Sequence, residues 1–232
     1  MSTLSMSASK SILVVSMALA MLSVASGPVL AQVYGVWSNP TPQAMGTYTA
    51  SGHLLLGDLT GLMGQIRTGV GDKMDVGLRL GFPDFDFDFG LAGDIHYRVM
   101  PASESLPMDL TATGGLGWTT LGEGSVDLSY LDVVFGMIAS REVTTQTGFT
   151  LVPYGILQFD IRRVSVDVGS VSASDSEFGV HFGFGADVPV NEVLSVNGEL
   201  AIITNGASAI GFQGEAVSDT AVFLVLGAGY HF

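Results

Sequence analysis

The chain ends in the stretch AVFLVLGAGYHF, residues 221–232. Read back from the terminus, Phe232, Tyr230, Ala228, Leu226, Leu224 and Val222 occupy every second place. His231, Gly229, Gly227, Val225 and Phe223 fill the places between. A period of two marks a β-strand with one apolar face, because successive side chains leave a strand on opposite sides.

Composition says what surrounds such strands. Hydrophobic residues make up 47% of the 232 positions and charged residues only 13%, against about 25% charged in an ordinary soluble domain. A chain so poor in charge has a surface that largely avoids water. Past the N-terminus no apolar run reaches the ~18 residues that a spanning helix needs. In a bilayer only helices and closed barrels satisfy their own backbone groups, so the barrel remains. The 31 glycines suit strands and tight turns better than helices.

The formal net charge is −14, and the only lysines are Lys10 and Lys73. Nucleic acid is thereby excluded as a partner, since phosphate binding needs clustered cations. The acidity points either to a cation-favouring lumen or to acidic, solvated rims. With no cysteine there are no disulfides and no thiolate chemistry.

Residues 1–31 read as a secretory signal: Lys10 supplies the positive charge, residues 12–25 the short apolar core, and Val29-Leu30-Ala31 a small-residue cleavage site. Residues 32–45, with Pro40 and Pro42, read as an irregular periplasmic lead-in. The barrel is expected over residues 46–232.

Alternation predicts ten strands there, with eight as the alternative count. They cover residues 46–57, 62–70, 74–82, 85–99, 108–121, 126–140, 149–168, 178–188, 194–204 and 221–232. The third is the cleanest, setting Met74, Val76, Leu78, Leu80 and Phe82 against Asp75, Gly77, Arg79 and Gly81. A three-residue turn at Gly71-Asp72-Lys73 would set Val70 opposite Met74. The sixth strand mixes its phases, which predicts either a bulge near Tyr130–Asp132 or an unusually apolar lumen side. The seventh changes phase after Arg163, and residues 170–176 read as a polar loop.

Alternation alone leaves open which face is outside, because a soluble lipocalin-type barrel alternates too. The other phase decides. A water-facing exterior is rich in Lys and Glu; here that phase is Gly, Thr, Ser and Asp with scattered Arg and His. The apolar phase is therefore assigned to lipid. Tyr48, Tyr97, Trp118, Tyr130 and Tyr230 are expected in interfacial girdles.

The terminal pair Tyr230 and Phe232 resembles the C-terminal strand of bacterial outer-membrane β-barrels. The hairpin from Gly71 to Gly81 resembles those of the uncharacterised small outer-membrane β-barrel domain family. The resemblance implies an outer-membrane protein secreted through the inner membrane, with Tyr230 and Phe232 as the signal read by the insertion machinery. It implies lipid, that machinery and periplasmic chaperones as partners, and a monomeric barrel.

Three groups of residues could carry chemistry. Asp84, Asp86 and Asp88 share a strand face and could bind a cation, although Gly90 and the absent twelfth-position Glu depart from a calcium loop. Asp94, His96, Arg98 and Asp109 would meet in the lumen, with Arg98 beside Asp109 as a structural pair. Omptin-type outer-membrane proteases use aspartates with an Asp–His pair, but here Asp86 and Asp88 share a strand with Asp94 and His96. His53, His181 and His231 lie in the polar phase of three separate strands. No Gly-x-Ser-x-Gly, His-Glu-x-x-His or phosphate-loop motif is present.

The sequence thus predicts an all-β, membrane-spanning, antiparallel up-and-down barrel with no cofactor and no catalytic motif. Its expected role is structural or that of a narrow pore for small solutes or cations. The alternative is an outer-membrane hydrolase acting on lipid A or peptide through lumenal or rim Asp and His. Expected lumen-lining polar residues are Gln65, Arg67, Arg79, Asp86, Asp88, Asp94, His96, Arg98, Asp109, His181, Asp187 and Glu199.

Overall fold

The computed structural model describes residues 40–57, 60–83, 89–123, 126–168, 171–205 and 220–232. Eleven strands follow in chain order: β1 (Tyr48–Gly57), β2 (Gly61–Gly71), β3 (Met74–Pro83), β4 (Phe89–Met100), β5 (Asp109–Glu123), β6 (Val126–Ser140), β7 (Val143–Thr144), β8 (Thr150–Val168), β9 (Val171–Pro189), β10 (Leu194–Asn205) and β11 (Thr220–His231). All but β7 form one antiparallel cylinder. Neighbours in sequence pair with each other, β6 pairs with β8, and β1 pairs with β11, so the sheet returns on itself without an edge. Ten strands therefore close an up-and-down barrel, as the alternation predicts. The two-residue β7 only laces the connection before β8. At the seam Tyr48 and Phe232 exchange both backbone hydrogen bonds at 2.9 Å, and their rings stack 5.7 Å apart.

The two faces divide as the sequence assigns them. Outward-facing Ile66, Leu78 and Phe184 are 57%, 56% and 61% exposed, while inward-facing Arg67 and Asp132 are both 0% exposed. Charge inside and hydrocarbon outside invert a soluble protein, and among these residues only a lipid solvent makes that stable. An aromatic ladder, Phe135–Phe159–Phe178, crosses the outside of β6, β8 and β9 at 5.7 and 6.0 Å. Tyr48, Tyr97, Trp118 and Tyr230 also face outward, but Tyr130 does not: it is 1% exposed and points into the barrel.

Several local expectations are corrected. The β2–β3 turn has two residues, Asp72 and Lys73. Gly71 faces Met74, and the register shifts between Gly69 and Gly71, so Val70 is the extra residue and faces nothing across the ladder. β6 carries no bulge, since both of its ladders run unbroken from Val126 to Ser140. Its mixed phase comes from an apolar lumen side at Tyr130, Val134 and Ile138, all buried. Residues 171–176 are not a loop but the start of β9. The expected strand segment 85–88, with Asp84, Asp86 and Asp88, lies outside the described residues, as do residues 1–39.

The phase change after Arg163 has a different cause from a bulge. The β8–β9 ladder keeps register throughout, from Val152↔Asp187 to Val168↔Val171. What changes is polarity: Val164 and Val166 are buried inside, whereas Arg163, Asp167, Ser172, Ser174 and Ser176 are exposed outside. Each of these strands has 19 residues, and a tilted strand crosses a bilayer in about 9–11. Beyond Arg163 and Ser176 the hairpin stands clear of hydrocarbon, so its exterior becomes polar, while β8 turns Val164 and Val166 inward opposite Asp175 and Ala173 of β9.

At the end of the barrel where β1 begins and β11 ends, the segment 40–47 before β1 turns inward. The Gln43 backbone N–H donates to Asp75 Oδ2 at 2.9 Å, and Gln43 Nε2 donates to Thr49 Oγ1 at 2.6 Å, both buried. Arg98 Nη2 donates to the Pro42 carbonyl at 3.4 Å. Gly69 is needed there, because a Cβ would run into the Ala44 carbonyl.

The polarity boundary gives a prediction. Leu78→Arg, in mid-belt, is expected to cost about 2–4 kcal/mol, and Ser172→Arg, above the belt, no more than ~0.5 kcal/mol. Guanidinium unfolding of the barrel from lipid vesicles measures both. Equal losses at the two positions would place residue 172 in hydrocarbon and refute the boundary.

Candidate functional site

The lumen is where the charged residues gather, and one geometric rule organises it. Strands one apart in a sheet lie roughly 9.5 Å from each other, twice the neighbour spacing. Side chains on them meet only if the strand between carries nothing in that row. Arg67, Gly77 and Asp94 share such a row across β2, β3 and β4. So do Thr113, Gly136 and Gln158 across β5, β6 and β8. Tyr154, Gly185 and Glu199 form a third across β8, β9 and β10. In each, the outer two residues bond over the glycine. A Cβ on Gly77 would sit 2.7 Å from Asp94 Oδ1 and 2.8 Å from Arg67 Nη1.

The first row seeds an ion-pair cluster. Arg67 Nη2 lies 2.6 Å from Asp75 Oδ1 and 2.7 Å from Asp94 Oδ1, and Arg79 Nη2 lies 2.6 Å from Asp94 Oδ2. His96 Nδ1 stands 3.6 Å from Asp75 Oδ1. Two guanidinium groups face two carboxylates, and all four are buried. Asp94 is thus held by arginines and does not orient His96, so an Asp94–His96 base pair is not formed.

The second and third rows join into a chain. Gln158 Nε2 donates to Thr113 Oγ1 at 3.1 Å, and Gln158 Oε1 lies 3.0 Å from His181 Nδ1. His181 Nε2 lies 3.6 Å from Glu199 Oε1, and the Tyr154 hydroxyl donates to Glu199 Oε2 at 3.0 Å. Further toward the far end Arg162 Nε binds Asp132 Oδ1 at 2.8 Å, with Asp160 Oδ2 at 3.5 Å from Nη2. Between Arg79, Asp94, His96, Thr113 and Gln158 a cavity of about 10 Å³ remains, room for one water at most. On the β10–β11–β1–β2 wall Leu55, Met63, Ala201, Ile203, Phe223 and Val225 form an apolar cluster inside.

The structure places Gln65, Arg67, Arg79, Asp94, His96, His181, Asp187 and Glu199 on the inward face. Arg98 and Asp109 do meet, at 3.6 Å, but at the partly exposed terminal mouth, side chains 28% and 20% exposed, where the register slips between Arg98 and Met100. Asp86 and Asp88 lie outside the described residues. Tyr230 and Phe232 face outward at the seam. The prediction missed Asp75, Asp132, Arg162 and Tyr154 as members of the network. All four stand in the inward phase of their strands, and Asp75 shares its phase with Arg79, so the alternation itself was the signal. Among the described residues no three His, Cys, Asp or Glu side chains converge as a metal site.

One contact has the form of a nucleophile and base: Ser195 Oγ lies 3.1 Å from His231 Nε2. The other imidazole nitrogen, Nδ1, faces the Thr49 hydroxyl at 2.8 Å, where a triad would have a carboxylate. Ser195 is also buried.

No protein-family model and no curated protein sequence matches the chain. Among solved structures it is similar to Ail, the attachment invasion locus protein of Yersinia pestis, at 15% identity and TM-score 0.37, over 81% of this chain and 100% of that one. It is similar to the N-terminal β-barrel domain of Pseudomonas aeruginosa OprF at 12% identity and TM-score 0.32, over 82% and 100%. It is similar to the outer membrane protease OmpT of Escherichia coli at 9% identity and TM-score 0.41, over 80% and 93%. The likeness is to small outer-membrane barrels as an architecture; at these scores no residue's role passes across it.

The glycine rule is testable. Gly77→Val would force Arg67 and Asp94 apart and is expected to cost about 3–5 kcal/mol, the penalty of breaking a buried pair. Gly64→Val, on the lipid side where a Cβ meets nothing within 4 Å, is expected to change stability by ~0.5 kcal/mol or less. Unfolding free energies in detergent or vesicles distinguish the two, and a neutral Gly77→Val would refute the rule.

Proposed function

We propose that this protein is an outer-membrane β-barrel with a structural role, its lumen closed to solutes at rest. The carrying observation is the filled interior: the Arg67–Asp75–Asp94–Arg79 cluster and the Thr113–Gln158–His181–Glu199 chain bridge the middle. Gln43 occupies the terminal mouth. Buried ion pairs of this kind hold their partners in one arrangement.

The same reading makes residues 1–31 a cleaved signal peptide and Tyr230 and Phe232 the part recognised by the insertion machinery. Lipid is then the permanent partner, and the barrel is a monomer. The hydrolase alternative has little to support it, since Ser195 is buried and His231 Nδ1 faces the Thr49 hydroxyl where a triad has a carboxylate. No step of catalysis is assigned.

Planar-bilayer recording of the refolded mature chain tests the proposal. Silence across the voltage range is expected. A steady current through the unmodified barrel would overturn the closed lumen and favour a narrow pore.

A further inference from the structure

The joint between β1 and β11 differs from the others in the barrel. Every other pair of neighbours is also linked by the chain that runs between them, whereas this one joins the first strand to the last. Opening it would expose two strand edges. At its terminal end a run of polar groups crosses the joint on the inside.

Thr49 of β1 faces His231 of β11 in the register, and its Oγ1 lies 2.8 Å from His231 Nδ1. His231 Nε2 lies 3.1 Å from Ser195 Oγ on β10, and the Ser195 hydroxyl donates to the Asp187 carboxylate on β9. On the other side, Gln43 Nε2 donates to Thr49 Oγ1 at 2.6 Å, and the Gln43 backbone N–H donates to Asp75 Oδ2 on β3 at 2.9 Å. The run thus passes from β3 to β9 by way of the segment before β1. Gln43, Thr49, Asp75, Asp187 and Ser195 are all buried.

Its hydrogens have one self-consistent arrangement. The Ser195 hydrogen is committed to Asp187, so Ser195 Oγ accepts from His231 and Nε2 carries the proton. The bare Nδ1 of the neutral imidazole then accepts from the Thr49 hydroxyl. Thr49 has given its hydrogen away, so its oxygen accepts from the Gln43 amide nitrogen, which can only donate. Each bond orients the next, and removing one member leaves its buried neighbour short of a partner.

We infer that residues 40–47 are a strap that clasps the β1–β11 joint from inside, so that docking of Gln43 and closure of the joint reinforce each other through Thr49. Residues 44–47 rest on β2 whatever the state of the joint: the Gly46 N–H donates to the Gly69 carbonyl and the Gly69 N–H to the Thr47 carbonyl, both at 3.2 Å. Gln43 is the part that reaches the residue facing the last strand. Coupling of this kind is reciprocal. The clasp holds whether or not the barrel conducts, since it depends on the barrel fold alone.

The test is amide hydrogen exchange, followed by NMR on the full mature barrel refolded in detergent. The Tyr48 and Phe232 amides, which bond across the joint, report its opening, and the Gln43 amide reports docking. Gln43→Ala is expected to speed exchange at Tyr48 and Phe232 about fivefold, the factor for one lost hydrogen bond. Ser103→Ala, which removes a bond in the β4–β5 connection at the same end, is expected to leave both unchanged. In a Thr49→Val background Gln43→Ala adds nothing further. His231→Ala in turn speeds exchange of the Gln43 amide, and it decides the matter should Thr49→Val not fold. Tyr48 and Phe232 amides unmoved by Gln43→Ala would overturn the clasp. So would an acceleration that Ser103→Ala reproduces, one that is equal with and without the Thr49 hydroxyl, or a Gln43 amide indifferent to His231→Ala.

Discussion

A narrow barrel imposes one geometric condition on everything inside it: side chains on strands one apart can touch only over a residue with no side chain. Glycine therefore does positional work in this lumen. Gly77, Gly136 and Gly185 each stand mid-row between two polar partners that meet above them. The three-strand row, not the two-strand pair, is the unit of packing here. It converts short-range register into contacts that reach from β2 to β4, from β5 to β8 and from β8 to β10, tying the cylinder together across its interior as well as around its wall.

That interior contact is what allows charge to be buried at all. An arginine in a low-dielectric space is costly unless its partners are fixed and close. Arg67 meets two carboxylates at 2.6 and 2.7 Å because Gly77 lets Asp94 in from one side while Asp75 approaches from the other. The outer solvent then sets the opposite requirement. Where the wall faces hydrocarbon it carries Leu, Ile, Val and Phe, and where the β8–β9 hairpin rises beyond it the same strands carry Ser, Asp and Arg outside and Val164 and Val166 within. One ladder in unbroken register thus reads as two opposite patterns along its length.

Those two effects explain how much was legible in advance. The clean strands, such as β3 and β11, announced their faces because one solvent touches each side along most of their length. Tyr130 was misplaced because an aromatic near a strand end was assigned to a girdle, whereas β6 uses its inward phase for Tyr130, Val134 and Ile138. The start of β9 was read as a loop because serines at 172, 174 and 176 look like a turn; they are the outward phase of a strand in water. Lumenal contacts were legible as phase but not as partners. Arg67 with Asp94 requires the register of two hairpins at once, and a single-residue slip at Val70 would have been enough to misassign it. The inward turn at Gln43 had no periodic signal, since it is held by hydrogen bonds to Asp75 and Thr49.

The acidity of the chain takes on a different meaning once the carboxylates are placed. A net charge of −14 is compatible with acidic loops that merely keep the rims wet, and part of it is that: Asp72 and Asp167 are exposed. Among the described residues, however, seven carboxylates are buried in the lumen with three guanidinium groups, Asp75, Asp94, Asp132, Asp160, Glu177, Asp187 and Glu199 against Arg67, Arg79 and Arg162. The β2–β4 side is neutral and tightly paired, which makes it a brace. The β6–β10 side carries the whole surplus of buried carboxyl groups. A barrel needing only rigidity would gain from two balanced walls. The unbalanced wall instead meets its carboxylates with neutral donors and imidazoles: Glu199 accepts from the Tyr154 hydroxyl and stands 3.6 Å from His181 Nε2.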